Sequence, residues 1–447
     1  MSKGNLDIDH IQLNLNVRGL EPSSTLSIND RGNELQGWGY DVFKLGLGQS
    51  PFPVPEPVVS ALRDNAGQKD YLPVKGLVEL REAVAAHHRR TYGIECNVED
   101  VLIGPGSKLL MFLMQMCYYG DLVIPTPSWV SYAPQAEVIG RHIFTLPTSR
   151  ETDWLPTAEQ LEEFCSRDRG RPRILVLNYP SNPTGRTFSH EQLVDLATVA
   201  AENKVIILSD EIYGKLHHDG THESIVHLCP EDSIFSGGLS KWCGAGGWRL
   251  GVFVFPKKLH WLLDAMAAVG TETFTATSAP IQYAAIRAFE EGPEIELYLE
   301  HSRRILKALG GFLAELLLRA GVRVLPPQGG FYLFPDFSAF RERFHFAGIT
   351  TSAQMCSRLF EETGVALLPG SDFGRPPEEF TARLAYVDFD GAEALAASGG
   401  IPTDRDLDIN FVQTYCGRTV EAVDRLCGWL AAPSNHRPAQ FLTEEIS

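Results

Sequence analysis

The chain contains no Cys-x-x-Cys pair. Its eight cysteines, at positions 96, 117, 165, 229, 243, 356, 416 and 427, stand apart, most of them in apolar stretches such as the one around Cys117. That spacing argues against thiolate zinc and dithiol redox motifs. It predicts reduced, buried thiols in a cytoplasmic protein. Long apolar runs are also missing. The longest, Leu109–Tyr119, is interrupted by Gln115 and falls well short of the ~20 residues needed to cross a bilayer. The first residues, Met1–Asp7, carry no apolar core of the kind a secretory signal needs, so none is expected. Basic residues are in deficit: 39 Lys and Arg stand against 56 Asp and Glu, for a net charge of −17. Nucleic acid and anionic membranes both require clustered cations, so neither is expected as a partner. An anionic small substrate stays open, because salt confines surface repulsion to about 8 Å. Metal-ligand spacing is absent as well. His87 and His88 are adjacent, which on a helix points them in different directions. His217, His218, His222 and His227 have no carboxylate or cysteine completing a ligand set, so no metal site is expected. There is no internal repeat and no low-complexity tract.

What is present is ample apolar material, 44% of 447 residues. A single core stops growing at roughly 250–300 residues, so two domains are expected. From Ser60 onward helical and strand-like patterns alternate. Leu80–Arg90 is amphipathic, and Lys108–Tyr119 reads as a buried helix. Short β-type runs follow at Leu122–Ile124, Ile174–Leu177, Val205–Leu208, Ser233–Phe235 and Gly251–Phe255, with a helical pattern at Ser189–Glu202 between two of them. Strands separated by helices predict a mostly parallel, wound α/β sheet. The last third differs: a long helix over His301–Ala320, a strand at Phe331–Phe334, a helix over Ser352–Thr363 and a strand at Arg383–Asp388, together a smaller α+β unit. Gly391–Asp408, rich in Ala, Gly, Asp and Ser, reads as a flexible surface excursion. The polar stretch from Pro433 reads as a disordered tail.

Chemistry concentrates after the strands. Ser240-Lys241 follows one, with Arg249 eight residues beyond the lysine among glycines. Alone this is as well read as a solvated loop. Asn178–Gly185 follows a buried run, however, and Asp210-Glu211-Ile212-Tyr213 follows the next. In an open α/β sheet the ligand crevice lies beyond the carboxyl ends of strands. Asn182, Asp210, Tyr213 and Lys241 all fall there. An aspartate closing the run Val205–Ser209 is costly to bury without a partner, and a cationic ring nitrogen is a natural one.

These and further motifs, taken in order, resemble the class I/II pyridoxal-phosphate aminotransferases, which have the aspartate aminotransferase fold. The motifs are Leu47-Gly48-Gln49-Ser50-Pro51-Phe52; Tyr71 with Gly76 and Leu80-Arg81; Gly104-Pro105-Gly106-Ser107-Lys108; Pro127-Ser128-Trp129; Asn182-Pro183-Thr184-Gly185; Asp210-Glu211-Ile212-Tyr213; Ser240-Lys241 with Gly247-Trp248-Arg249; and Arg383-Leu384. They span about residues 20 to 390. Any one could arise by chance; eight in order do not.

The resemblance implies a large cofactor-binding domain over 57–320 and a small domain formed by 1–56 with 321–447. It implies one antiparallel strand, Gly251–Phe255, in the main sheet. It also implies a homodimer with shared sites. The cofactor is pyridoxal 5′-phosphate, held as a Schiff base on Lys241, whose released amine then moves the substrate's α-proton. Asp210 matches the acid that keeps the pyridine nitrogen protonated, which makes the ring a better electron sink. Asn182 and Tyr213 match the pair that bonds the ring O3′, and Trp129 matches the stacking aromatic. Gly106, Ser107 and Lys108 open a helix whose free N–H groups suit the phosphate, with Arg249 as a charged fork and Ser240 as a hydroxyl. Tyr71 matches a tyrosine that reaches the neighbouring subunit's phosphate. Where many relatives have Ser or Thr three residues before the lysine, this chain has Gly238, with Ser240 or Ser236 as the compensating hydroxyl. Arg383 matches the residue that holds the α-carboxylate in a bidentate pair, and Gly48 should meet the same carboxylate through its backbone. Ser23, Thr25 and Lys108 match positions that face a distal carboxylate in one bacterial branch. The implied reaction is ping-pong transfer of an α-amino group from an L-amino acid, aspartate or glutamate if those three act on it, to a 2-oxo acid. Aromatic or neutral substrates, and a lyase or synthase on the same scaffold, share the same cofactor residues. A non-enzymatic sensor module would need a DNA-binding domain upstream, and the first motif begins at Leu47.

Overall fold

The structure, a computed structural model, describes residues 13–432. The signal-peptide reading of Met1–Asp7 and the tail from Pro433 lie outside them. In chain order the strands among the described residues are β1 (Phe43–Lys44), β2 (Val101–Gly104), β3 (Asp121–Thr126), β4 (Ile143–Pro147), β5 (Arg173–Asn178) and β6 (Val205–Asp210). They continue with β7 (Ser233–Gly238), β8 (Gly251–Val254), β9 (Tyr332–Leu333), β10 (Val365–Ala366), β11 (Leu368–Pro369) and β12 (Ala382–Ala385).

Seven of them form one sheet in the order β2-β8-β7-β6-β5-β3-β4. All run parallel except β8, which is antiparallel to both neighbours, as expected for Gly251–Phe255. β6 and β7 are buried along their whole length. Helices cover both faces of such a sheet, which is why β5 and β6 carry near-continuous apolar runs, Ile174–Leu177 and Val205–Leu208, rather than alternating ones. Two strands were not legible as such. β2 is fully buried, but its apolar run is only Val101–Ile103 before Gly104-Pro105-Gly106, and β4 is an edge strand that exposes Phe144 and Thr145, so neither gives a long apolar signal.

The remaining strands make two small sheets, β11-β12-β9 and β1-β10. β1 pairs with β10 in parallel, Phe43 opposite Val365, which ties the N-terminal segment to the last third of the chain. A long helix, Pro293–Arg319, runs between the main sheet and these smaller ones in sequence and buries one apolar stripe, including Leu299, Leu306, Leu313 and Leu317.

The expectation for Gly391–Asp408 is corrected. Gly391–Gly399 is a helix whose N-cap, Asp390, accepts from the backbone N–H of Ala392 and Glu393. Asp408 caps a second helix, Ile409–Tyr415. Small residues do not signal looseness here. They allow close packing: Ala394 and Ser398 are fully buried, and Ser398 Oγ lies 2.8 Å from His301 Nδ1 on the long helix.

Candidate active site

Register brings the chemistry to one edge. Asn178 ends β5 opposite Asp210, which ends β6 opposite Ser236 of β7. The turn after β7 carries Ser240 and Lys241. Reversal of β8 matters here. Because it starts at the edge where the parallel strands end, Gly251 lies opposite both Gly104 and Gly238. Arg249, just before it, is thereby delivered beside the Gly104–Lys108 turn.

Beyond these ends opens a cavity of about 460 Å³. Its walls include Ser107, Lys108, Trp129, Asn182, Asp210, Tyr213, Ser240, Lys241 and Arg249 from the main sheet's edge, Arg383 from β12, and Ser23, Thr25 and Gly48 from the N-terminal segment. Two expected residues lie elsewhere. Gly106 sits immediately behind the wall as the N-cap of the helix Ser107–Cys117. Tyr71 does not line the cavity and is 92% exposed in the single chain. Ser236 is fully buried and directs its hydroxyl toward Asp210 at 3.5 Å, so it is no substitute for a hydroxyl at residue 238. The glycine there has a physical cause: a Cβ on Gly238 would meet the Leu250 carbonyl oxygen at 2.5 Å.

Lys241 Nζ donates to the Gly48 carbonyl at 2.6 Å and lies 5.7 Å from the Tyr213 ring centroid. Gly48 thus meets the lysine through its carbonyl. Burial lowers the Lys241 pKa to about 8, helped by Arg383 and Arg249 and opposed by Asp210. Asp210 is 3% exposed. Burial raises its pKa to about 6, against hydrogen bonds from Tyr132, the Ile212 backbone and Ser236. The Tyr132 hydroxyl donates to Oδ2 at 2.5 Å, and no ion pair to Asp210 forms among the described residues. A deeply buried carboxylate satisfied only by neutral donors is suited to a cationic ligand atom.

The opposite wall suits an anion. The helix Ser107–Cys117 has no side-chain cap, leaving its first N–H groups free. Gly106, at φ +88°, lets Arg249 approach so closely that a Cβ would lie 2.3 Å from Nη2. Lys108 Nζ is 5.6 Å from the Trp129 ring centroid, and its pKa is lowered by burial and by Arg249. These donors and Asp210 suit the two ends of a phosphorylated pyridine such as pyridoxal phosphate.

Arg383 is 1% exposed. It lies between the rings of Tyr332 and Phe373, 4.9 and 5.0 Å from their centroids. It donates to Asn182 Oδ1 at 3.0 Å and to the Gly46 carbonyl, and its Nε is buried without a partner in the described residues. No carboxylate forms an ion pair with it among the described residues, although Asp372 acts on it from a distance, so it is open to a planar carboxylate fork. Asn182 is therefore engaged with Arg383, and Tyr213 shares a hydrogen bond with Tyr332, Oη to Oη at 2.7 Å.

Sequence reading missed Tyr132, Tyr332 and Asn178. Asn178 stood at a strand end and could have been included on that ground. Tyr132 and Tyr332 carried no local signal beyond following Trp129 and Gly329-Gly330, because their partners are distant in the chain.

The model of the family "Aminotransferase class I and II" matches residues 40–394. Aspartate aminotransferase of Bacillus sp. (strain YM-2) is 32% identical over 381 residues, covering 83% of this chain and 93% of that protein. Asparagine–oxo-acid transaminase of Streptococcus mutans is 30% identical over 388 residues, 84% and 95% of the two chains. The solved structure of Thermus thermophilus aspartate aminotransferase with maleate superimposes with a TM-score of 0.79 at 27% identity, over 93% of this chain and 99% of that one. This chain belongs to the class I and II aminotransferases and is an enzyme that transfers amino groups.

Proposed function

We propose that the enzyme is a pyridoxal 5′-phosphate-dependent aminotransferase for dicarboxylic amino acids, aspartate or glutamate, with a 2-oxo acid as acceptor. The observation that carries the reading is the convergence of Lys108, Ser23 and Thr25 on the cavity that holds Lys241 and Arg383. The Thr25 hydroxyl is buried there without a partner in the described residues. The names of the Bacillus and Thermus relatives support the same substrate class.

Gly106, Ser107, Ser240 and Arg249 would hold the phosphate, Asp210 the ring nitrogen, Trp129 the ring face, and Asn182 with Tyr213 the ring oxygen. When bound, pyridoxal phosphate supplies an aldehyde for the substrate amino group and a ring that draws in the electron pair left at the α-carbon. The chain's own residues do the rest. Arg383, held near the Tyr332 and Phe373 rings, would take the α-carboxylate bidentately and fix the α-carbon's orientation. The Lys241 amine, with its pKa lowered to about 8, would take the α-proton and hold it for return. It is basic enough to accept a proton and weak enough to release it near neutral pH.

An amino-donor screen identifies the substrate, and Lys108→Ala tests what reads it. A distal carboxylate must be desolvated on entry and needs a cation there. Lys108→Ala is expected to cost about 2 kcal/mol in kcat/KM for aspartate or glutamate and far less for alanine or phenylalanine. An equal loss for all donors assigns Lys108 to the phosphate and removes the dicarboxylate reading.

The chain would divide into 57–320, which contains the seven-stranded sheet, and a small domain of 1–56 with 321–447, joined by the β1–β10 pair. It would act in the cytoplasm, consistent with eight free cysteines, as a homodimer in which Tyr71 reaches the neighbouring phosphate. Tyr71→Phe is then expected to weaken cofactor retention about tenfold, the worth of one hydrogen bond to a charged group. Mixing Tyr71→Phe with Lys241→Ala subunits should restore retention, since hybrid dimers carry one complete site. Failure of the mixture to do so would show that Tyr71 acts within its own subunit or not at all.

A further inference from the structure

The segments that carry the site's amine and its tyrosine are packed together twice. Residues 213–215 follow β6, and residues 241–242 follow β7. At the cavity, Lys241 Nζ lies over the Tyr213 ring, 5.7 Å from its centroid. Outside it the order of ring and cation is exchanged: Lys215 Nζ lies over the Trp242 ring, 5.2 Å from its centroid. Neither Lys215 nor Trp242 lines the cavity; Trp242 is buried at 4% exposure and the Lys215 side chain is largely covered at 11%.

Lys215 is anchored from a third segment. Its Nζ donates to Glu291 Oε1, while Oε2 of the same carboxylate accepts from Arg90 at 2.9 Å and lies 3.4 Å from His87 Nδ1. Glu291 itself has φ +60° and ψ −138°, a conformation populated almost only by glycine. The helix Pro293–Arg319 begins just after it, and Gly292 is next in sequence. The chain therefore holds a carboxylate where its backbone disfavours any side chain, against a lysine that no reacting group touches.

We propose that the Lys215–Trp242 contact, seated on Glu291, sets how closely Lys241 is held against Tyr213. Lys215, Trp242 and Glu291 are then positioning residues for the proton transfer made by the Lys241 amine. The inference rests on Lys241 being that amine. A buried cation over an indole is a strong version of this contact, and displacing a reacting group by about 1 Å can cost a hundredfold in rate. Losing the contact frees Lys241 to leave the groups that surround its proton. Those are Arg383 and Arg249, which with burial push its pKa down; Asp210, which pulls it up; and the Tyr213 and Phe331 rings, the Gly48 carbonyl, Lys108 and Tyr332 around the same cavity. Lys215 is faced by Glu291, Arg90 and Arg303, and it acts in turn on His87, His88 and Cys243.

The test uses the full chain without cofactor. The amine of Lys241 is acylated with acetic anhydride across a pH series and read by peptide mass spectrometry, alongside steady-state kinetics of the holoenzyme and calorimetry. In Lys215→Met and in Trp242→Leu the acylation midpoint of Lys241 is expected to rise by about half a pH unit or more. The kcat should fall about tenfold with KM for the amino acid held within about twofold. Lys215→Arg should restore both. Lys215→Met/Glu291→Gly leaves the lysine's charge and its counter-charge both absent and relieves the backbone, so its thermal midpoint should return while its acylation midpoint and kcat do not. An unchanged Lys241 midpoint in folded Trp242→Leu, or recovery of midpoint and kcat together with thermal stability in the double variant, overturns the proposal and leaves the network structural only. Acylation reads the amine without turnover. A shifted midpoint with unmoved kcat would therefore indict the role of Lys241 rather than the positioning contact.

Discussion

Lys241→Ala is expected to abolish amino-group transfer and leave the fold intact. The lysine follows β7 on a turn fixed by backbone hydrogen bonds, Leu239 N–H to the Leu250 carbonyl and Ala245 N–H to the Leu239 carbonyl. The side chain itself makes one hydrogen bond, to the Gly48 carbonyl. Truncation therefore removes little that the turn depends on. It removes the group proposed to attach the cofactor and to move the proton. The other lysine at the cavity, Lys108, lies by Trp129 and Arg249 and is placed for an anion. Loss of a positioned base alone costs about 10²–10⁴ in rate, and loss of the attachment adds to it. Borohydride treatment followed by peptide mapping should find cofactor at residue 241 in the parent enzyme and none in the variant. Reducible attachment persisting in Lys241→Ala would sink the assignment. Circular dichroism should be unchanged.

Asp210→Asn should lower kcat about 100- to 1000-fold, the usual cost of losing one preorganised charge where charge develops, yet make the cofactor-free chain more stable at neutral pH. The sign follows from the proton. Burial raises the Asp210 pKa to about 6 in the folded chain, above its value of about 3.9 when unfolded. The folded state thus binds this proton more tightly than the unfolded state does. The stability it contributes is complete below about pH 4 and is lost as pH rises through about 6. At pH 7 the ionised form costs roughly 3 kcal/mol, from a shift of about two units at 1.36 kcal/mol each. Asparagine carries no such proton. Calorimetry should find the variant more stable at pH 7, with the difference shrinking toward pH 4 and shrinking also when cofactor is present. Equal stability at both pH values would mean that Asp210 is solvated in the folded chain. Near-normal turnover would mean that it is structural.

The edge of the main sheet was legible in the sequence because each motif follows its own signal. Ile174–Leu177 and Val205–Leu208 are continuous apolar runs; Asn178 stands where the first stops and Asp210 one residue beyond the second, after Ser209. What could not be read is what crosses the chain. Tyr132 meets Asp210 across 78 residues and Tyr332 meets Tyr213 across 119, and no local pattern encodes such a pairing. Arg383 was found by motif, but its place between Tyr332 and Phe373 follows from packing. Gly391–Gly399 misled for another reason. Small residues that permit close contact with the long helix have the same composition as a loop, and only the Asp390 cap distinguishes them.

The pairing of Phe43 with Val365 orders events on the ribosome. The proposed phosphate and ring contacts, Gly106 through Arg249, are all synthesised before residue 250 and cluster at the edge of one sheet. Gly48 emerges early, yet its segment has no strand to join until Val365 has been made, and Arg383 follows later still. Domains tend to fold as they leave the ribosome. A nascent chain would therefore assemble the half of the site that grips the cofactor while the half that grips an amino acid is still in pieces. Amino-acid capture, and with it turnover, would await the last fifth of translation.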